Sequence, residues 1–247
     1  MSRILCIYPD HKSTKFLNSI QVSIKQNLGN KFHCYKVKPT MESHDRCLAE
    51  IAAHDNNESI IFLGHGKSDS LFGASFPSTC GMVSDDYLAE NPHEKHLSED
   101  FINPDNISIF KEKKIFCLTC NSADSLGELA IEAGAKVFLG FGDIPTENHA
   151  DQDIRLYLDQ WKSPMPDRLT KIFKGDIQVI IKSSLLVGLN EKLSYEDVRN
   201  IIIHKTNLRI DDILKHHKGI KRRRLLCDYL FQFKEEMTVF GNSNLLI

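Results

Sequence analysis

The chain has 247 residues, 41% of them hydrophobic and 26% charged, with a formal net charge of −2. That length is enough for one domain with a large core, or one domain with an appended lobe. The near-neutral charge excludes a global pull towards nucleic acid or an anionic membrane surface, so neither is expected as a partner.

The short apolar run at residues 4–8 is too brief for a signal peptide or a membrane span, and "IQVIIKSSLLVGL" is broken by Lys182 and two serines. Seven scattered cysteines, an odd number, fit reduced thiols better than a disulfide framework. A cytoplasmic protein is expected.

In chain order, "ILCIY" (4–8) reads as a first strand. "KSTKFLNSIQVSIKQNL" repeats apolar residues at helical spacing, and "KFHCYKV" alternates as a strand does. "ESHDRCLAEIAAH" reads as a helix capped by Ser43 or Asp45. "SIIFLG" (59–64), "KIFCLT" (114–119) and "KVFLGF" (136–141) are further strands, with a helix "SLGELAIEAG" ending in Gly134 between the last two. Apolar runs separated by amphipathic helices predict a mostly parallel sheet covered on both faces.

Residues 67–105 break this rhythm. They are polar, without a clear period, and read as a long binding loop or a partly disordered one. From residue 147 the pattern turns helical, through "ADQDIRLYLDQW", "DRLTKIFKGDIQVIIKSSLLVGL" and "SYEDVRNIIIHKTNLRIDDILKHH", with a final strand expected at 238–240. The chain is thus read as a single domain over 1–247, an α/β core to residue 146 and a helical region from 147.

Ligands of open α/β sheets bind at the carboxyl ends of parallel strands. Strand three ends in "GHGKSDS" and strand four in "TCNSAD", so His65 and Cys120 are expected on one rim. A thiol is a potent nucleophile only as thiolate, and an imidazole beside it makes or shares that charge. The helix expected after Cys120 adds a positive dipole end. Gly66 permits a backbone turn whose N–H, with that of Cys120, could bind an oxyanion. Cys117 reads as a small buried hydrophobe pointing away from Leu118, and "CLTC" without a second pair does not read as zinc or redox chemistry.

"IIFLGHG" and, about 55 residues later, "IFCLTCNS" resemble the His-Gly and Cys blocks of caspase-like, clan CD cysteine peptidases. The nearest likeness is to the CHAT-domain, separase-related branch. There a strand, Cys, Asn, Ser or Thr and Ala lead into a helix ending "EAGA", then a strand ending in a glycine-rich turn. "TCNSADSLGELAIEAGAKVFLGFGDIP" looks like that throughout, and "MTVFGN" (237–242) looks like the branch's last strand. The likeness covers residues 3–160 and, more loosely, the C-terminal region. It implies a caspase-like three-layer α/β/α sandwich and a cysteine endopeptidase that works through a thioester, without metal or cofactor. Carried over by position, Cys120 is the nucleophile, His65 the base and acid, and Gly66 a backbone oxyanion donor. The family's work in regulated proteolysis, cell death and bacterial defence implies a protein or peptide substrate and an activating protein partner.

Two features depart from the pattern. The caspase Q-A-C-x-G sequence is absent, with Thr119 and Asn121 flanking the cysteine, and the segment from His65 to Phe76 is poor in aromatic residues. The family gathers its first substrate pocket from the ends of strands one, four and five. Asp10 and Asp143 stand at two of those ends, and a carboxylate pair there would select Lys or Arg at the cleaved position. The plainer reading makes both turn or cap residues. Asp69, Asp85 and Asp86 are alternative acidic contacts.

"HEKH" (93–96) reads as solvated loop rather than a metal site, and "KHHKGIKRRR" (215–224) as a solvated helix junction. Two other functions stand beside the peptidase: a catalytically inactive α/β binding or scaffold module, and a hydrolase or transferase of small amides using the same dyad. No G-x-G-x-x-G or P-loop follows the first strand, which argues against a nucleotide.

Overall fold

The computed structural model of the chain describes residues 4–10, 14–74, 101–145 and 165–247. In chain order these form β1 (Ile4–Pro9), α1 (Asn18–Leu28), β2 (Phe32–Val37), α2 (Met41–Ala53), β3 (Ser59–Leu63), β4 (Gly66–Lys67), β5 (Ser70–Leu71), β6 (Lys114–Leu118), α3 (Ser125–Glu132), β7 (Val137–Gly140), α4 (Asp167–Glu191), α5 (Tyr195–His216), α6 (Arg223–Glu235) and β8 (Thr238–Gly241). Six strands make one sheet in the order β2-β1-β3-β6-β7-β8, and β4 and β5 make a separate hairpin. Every pairing in the large sheet is parallel except β7 with β8.

The expected α/β class and mostly parallel sheet are therefore observed, as is the last strand. The long apolar runs are explained by burial on both faces. Leu5, Ile7, Ile60, Phe62, Ile115, Cys117 and Phe138 point to one side, where α2 and α3 supply Cys47, Ile51, Leu126 and Ala130. Their neighbours Cys6, Ile61, Leu63, Phe116, Leu118, Val137 and Leu139 point to the other, under α1, α4, α5 and α6. A strand covered on both faces needs apolar residues at every position, which hides its period of two. The result is three layers, with the sheet between two sets of helices. No described helix is long and apolar enough to cross a membrane.

Three local expectations are corrected. The cap of α2 is Thr40, whose extended backbone (φ −139°, ψ 145°) lets its hydroxyl accept the Ser43 N–H at 3.2 Å. Ser43 instead accepts the Lys38 N–H at 2.9 Å. The stretch read as a long binding or partly disordered loop begins with the β4–β5 hairpin, and a bridge joins Leu71 to the buried Ile102. Two-residue strands carry too few side chains to show a period. Helix α6 was not distinguished, although Leu226, Leu230 and Phe233 form its buried face. The helix expected at 150–161, Cys80, Asp85, Asp86 and His93–His96 lie outside the described residues.

Candidate active site

Strands β3 and β6 are parallel neighbours with Leu63 opposite Leu118, and Gly64 N–H continues the ladder to the Leu118 carbonyl at 3.3 Å. His65 and Cys120 each stand two positions beyond those partners, so the register sets them side by side at the carboxyl edge of the sheet. Both line one cleft, together with Thr14, Phe16, Leu17, Gly64, Leu118, Ile144 and Ile177. The ends of β3 and β6, Ile144 beyond β7 and the turn at Thr14–Leu17 before α1 contribute to it, and Ile177 on α4 closes one side.

The turn that carries Cys120 is fixed by buried polar contacts. Ser122, fully buried, accepts the Phe141 N–H at 3.0 Å and donates towards the Cys117 and Thr119 carbonyls at 3.0 and 3.1 Å. Asn121 N–H donates to the Gly142 carbonyl and Ala123 N–H to Phe141, both at 2.9 Å. These bonds tie the Cys120 turn to the end of β7. Asn121 holds a left-handed backbone at φ 56°, a conformation asparagine tolerates better than most residues. Gly140 is required opposite, since a Cβ there would lie 2.6 Å from the Ser122 carbonyl oxygen.

Cys120 is half-buried, and its thiol donates to the Ile144 carbonyl at 3.3 Å. It lies on the α1/α4 side of the sheet, where it packs against the core. Cys117 faces the other side, is fully buried and has its thiol pushed up to about 12 by burial. It fits the inert role expected of it.

Gly66 pairs with Leu71 across the hairpin, while Leu71 N–H points outward to the Ile102 carbonyl at 2.7 Å. In antiparallel pairing the opposed residue turns its own N–H outward as well, so Gly66 N–H points away from β5. A side chain here would lie 2.9 Å from Thr119 Oγ1 and from the Ser70 carbonyl oxygen. Glycine is what lets this backbone approach the residue before Cys120.

The expected helix dipole is not at the thiol. Helix α3 starts only at Ser125, and Leu126 N–H in its first turn donates to the Ser68 carbonyl at 2.7 Å. The dipole effect falls off within a turn.

Asp10 and Asp143 do not line the cleft. Asp10 forms an ion pair with Lys36 on β2 at 2.7 Å. Asp143 is exposed beyond β7, and its N–H donates to Glu236 at 2.9 Å. Asp69 pairs with Lys67 at 3.7 Å. For Asp10 the partner is Lys36 on the neighbouring strand, away from the cleft lining. The residues that sequence reasoning did not single out are Thr14, Phe16, Ile144 and Ile177, which wall the cleft, and Ser122, which sat in the quoted "TCNSAD" without an assigned role.

Among the described residues, no group of three or more His, Cys, Asp or Glu side chains is placed to hold a metal ion. All six described cysteines are free thiols. Compared with protein-family models, with curated proteins and with solved structures, the chain matches none.

Proposed function

We propose that the protein is a cysteine endopeptidase in which Cys120 is the nucleophile and His65 its base and acid, working in the cytoplasm on a protein partner. The observation that carries this reading is the meeting of one thiol and one imidazole in a single cleft, at the carboxyl ends of adjacent parallel strands. The resemblance of the same two blocks to caspase-like, CHAT-type peptidases supports it.

In this reading His65 takes the Cys120 proton and the thiolate attacks the scissile carbonyl carbon. The carbonyl oxygen becomes an oxyanion, for which this reading assigns Gly66 N–H as the donor. His65 returns the proton to the departing amine, the C–N bond breaks and a thioester remains. Water then gives a proton to His65 and attacks the thioester, which releases the acid and restores the thiol. No metal or cofactor takes part. The thiol bonded to the Ile144 carbonyl is a resting state, and substrate or an activating partner would have to draw it off that acceptor.

That same bond favours a second reading, a scaffold module with an idle thiol. An electrophilic peptide probe with peptide mapping separates the two. Selective labelling of Cys120 that is lost in His65→Ala supports catalysis. Labelling spread over Cys34 and other accessible thiols, unchanged in His65→Ala, supports the scaffold.

A further inference from the structure

At the β2 edge of the sheet, two thiols face each other. Cys6 on β1 and Cys34 on β2 are direct partners in the parallel register, and both turn towards the α1 side. Adjacent strands run about 4.8 Å apart, inside the roughly 4.4–6.8 Å that separates the Cα atoms of disulfide-bonded cysteines. The thiols themselves lie within hydrogen-bond reach, with Cys6 donating to Cys34. Their surroundings differ. Cys6 is fully buried, and burial, then the hydrogen bond and charge of Cys34, push its thiol well up. Cys34 is half-buried. The hydrogen bond from Cys6, and then the Lys25 charge, hold its thiol below the usual range against that partial burial. Helix α1 adds two polar groups, one turn apart. Gln21 Oε1 accepts the Cys34 thiol at 3.3 Å, and Lys25 Nζ donates to the Phe32 carbonyl at the start of β2 at 2.8 Å.

We infer that Cys34 is an oxidation site for hydroperoxides and that Cys6 resolves the product into a Cys6–Cys34 disulfide. The inference is separate from the peptidase reading, since neither thiol lines the cleft of His65 and Cys120. In the first step the Cys34 thiolate attacks one oxygen of the peroxide. The O–O bond breaks, an S–O bond forms, and the departing hydroxide takes up the proton that Cys34 gave up, as water. Cys34, now a neutral sulfenic acid, no longer carries the charge that held the proton on Cys6. The Cys6 sulfur then attacks the sulfenic sulfur. The S–O bond breaks, the S–S bond forms, and hydroxide leaves with the Cys6 proton as a second water. The two thiols give up two electrons and the peroxide takes them. Only Cys34 has to meet the oxidant, so the burial of Cys6 is no obstacle. Closing the bond draws the two Cβ atoms from strand spacing to about 3.5–4.5 Å. Strand β2 stands at the end of the sheet, hydrogen-bonded to β1 alone among the described strands, and is free to shift towards it. The Gln21 amide serves both states of Cys34: its oxygen accepts from the thiol, and its NH2, turned over, donates to the thiolate.

The test treats the fully reduced full chain with a small molar excess of hydrogen peroxide, quenches it in acid and maps the products by mass spectrometry without reduction. The expected result is a peptide pair joined through Cys6 and Cys34 that dithiothreitol separates. In Cys6→Ala, Cys34 should instead collect as a sulfenic acid that dimedone traps, and Cys34→Ser should give neither product. The parent crosslink and the half-exposed Cys34→Ser are read whether or not Cys6→Ala folds. Alkylation of Cys34 by iodoacetamide as a function of pH should have its midpoint below about 8.5, the value of an unperturbed thiol. Lys25→Met should slow Cys34 oxidation about twofold or more near neutral pH, through loss of the neighbouring positive charge. Oxidation that spares Cys34, a disulfide from Cys34 to another cysteine, or oxidised Cys34 left unlinked to Cys6 in the parent overturns the inference. A Cys34 midpoint at or above that of a free thiol overturns it as well, and an unchanged rate in Lys25→Met overturns the part given to Lys25.

Discussion

Ser122→Ala is the most informative single perturbation of the scaffold under the thiol. The hydroxyl is fully buried and bonded in two directions: it accepts from Phe141 N–H and donates towards the carbonyls of Cys117 and Thr119. The Cys117 carbonyl keeps a second donor, Thr119 N–H at 3.2 Å, so its loss is partial. Phe141 N–H has no such reserve in the native arrangement and would be orphaned in the core. An unsatisfied buried donor costs about 1–3 kcal/mol, and the weakened carbonyl contacts bring the expected loss to about 2–3 kcal/mol. For a domain of this size, about 2–4 °C of melting temperature is lost per kcal/mol, so Tm should fall by roughly 4–12 °C. Because the lost bonds join the Cys120 turn to the end of β7, alkylation of Cys120 by an electrophilic peptide probe should slow as well. Scanning calorimetry and the alkylation rate are measured on the same preparation, and Ser122→Cys, which keeps a weak donor and acceptor, should recover part of both. A Tm within about 1 °C of the parent, well inside the loss expected from an orphaned donor, would refute the claim that this hydroxyl holds the turn.

Other consequences follow from individual residues. Asn121→Val should lower stability by about 1–2 kcal/mol, because a β-branched residue is strained at φ 56°, whereas Asn121→Gly should be tolerated; chemical denaturation distinguishes the two. His54 is held below the usual imidazole range, chiefly by burial, then by the Lys113 charge, and its buried Nε2 has no hydrogen-bond partner. The unfolded chain therefore takes up this proton before the folded one, and stability should fall as pH drops below about 6.5. His54→Gln should flatten that part of the Tm-against-pH curve, and an unchanged slope would count against the assignment. In thiol footprinting of the folded chain, Cys34 and Cys120 should react ahead of Cys47 and Cys117. Both of the latter are fully buried, with their thiols pushed up by burial, and reaction of either at the rate of Cys34 would contradict the packing described.

The parallel strands were legible because burial on both faces of β3, β6 and β7 leaves unbroken apolar runs. Their ends follow from the glycines and polar residues after Leu63, Leu118 and Gly140. Once those ends are placed, the meeting of His65 and Cys120 at one edge follows from the order of parallel strands alone. The acidic pocket was not legible in the same way. A residue's position at a strand end gives its backbone a place on the rim, but the direction of its side chain depends on the turn, and Lys36 on β2 draws Asp10 sideways. The wall of the cleft was hidden for another reason. Ile177 belongs to α4, more than fifty residues after Cys120 in the sequence, and only tertiary packing brings it to the strand ends. The β4–β5 hairpin and the Thr40 cap rest on two or three residues each, too few for a pattern to show.

The central claim is that Cys120 forms a covalent bond to the acyl half of a cleaved peptide. The most direct measurement is mass spectrometry of the protein quenched in acid during turnover of a peptide ester or amide drawn from a mixed-sequence library. The account predicts a hydroxylamine-sensitive adduct on the fragment containing Cys120, absent in Cys120→Ala, and turnover that collapses in both Cys120→Ala and His65→Ala. Peptide cleavage that persists in Cys120→Ala, or an adduct that maps to another cysteine, would contradict it.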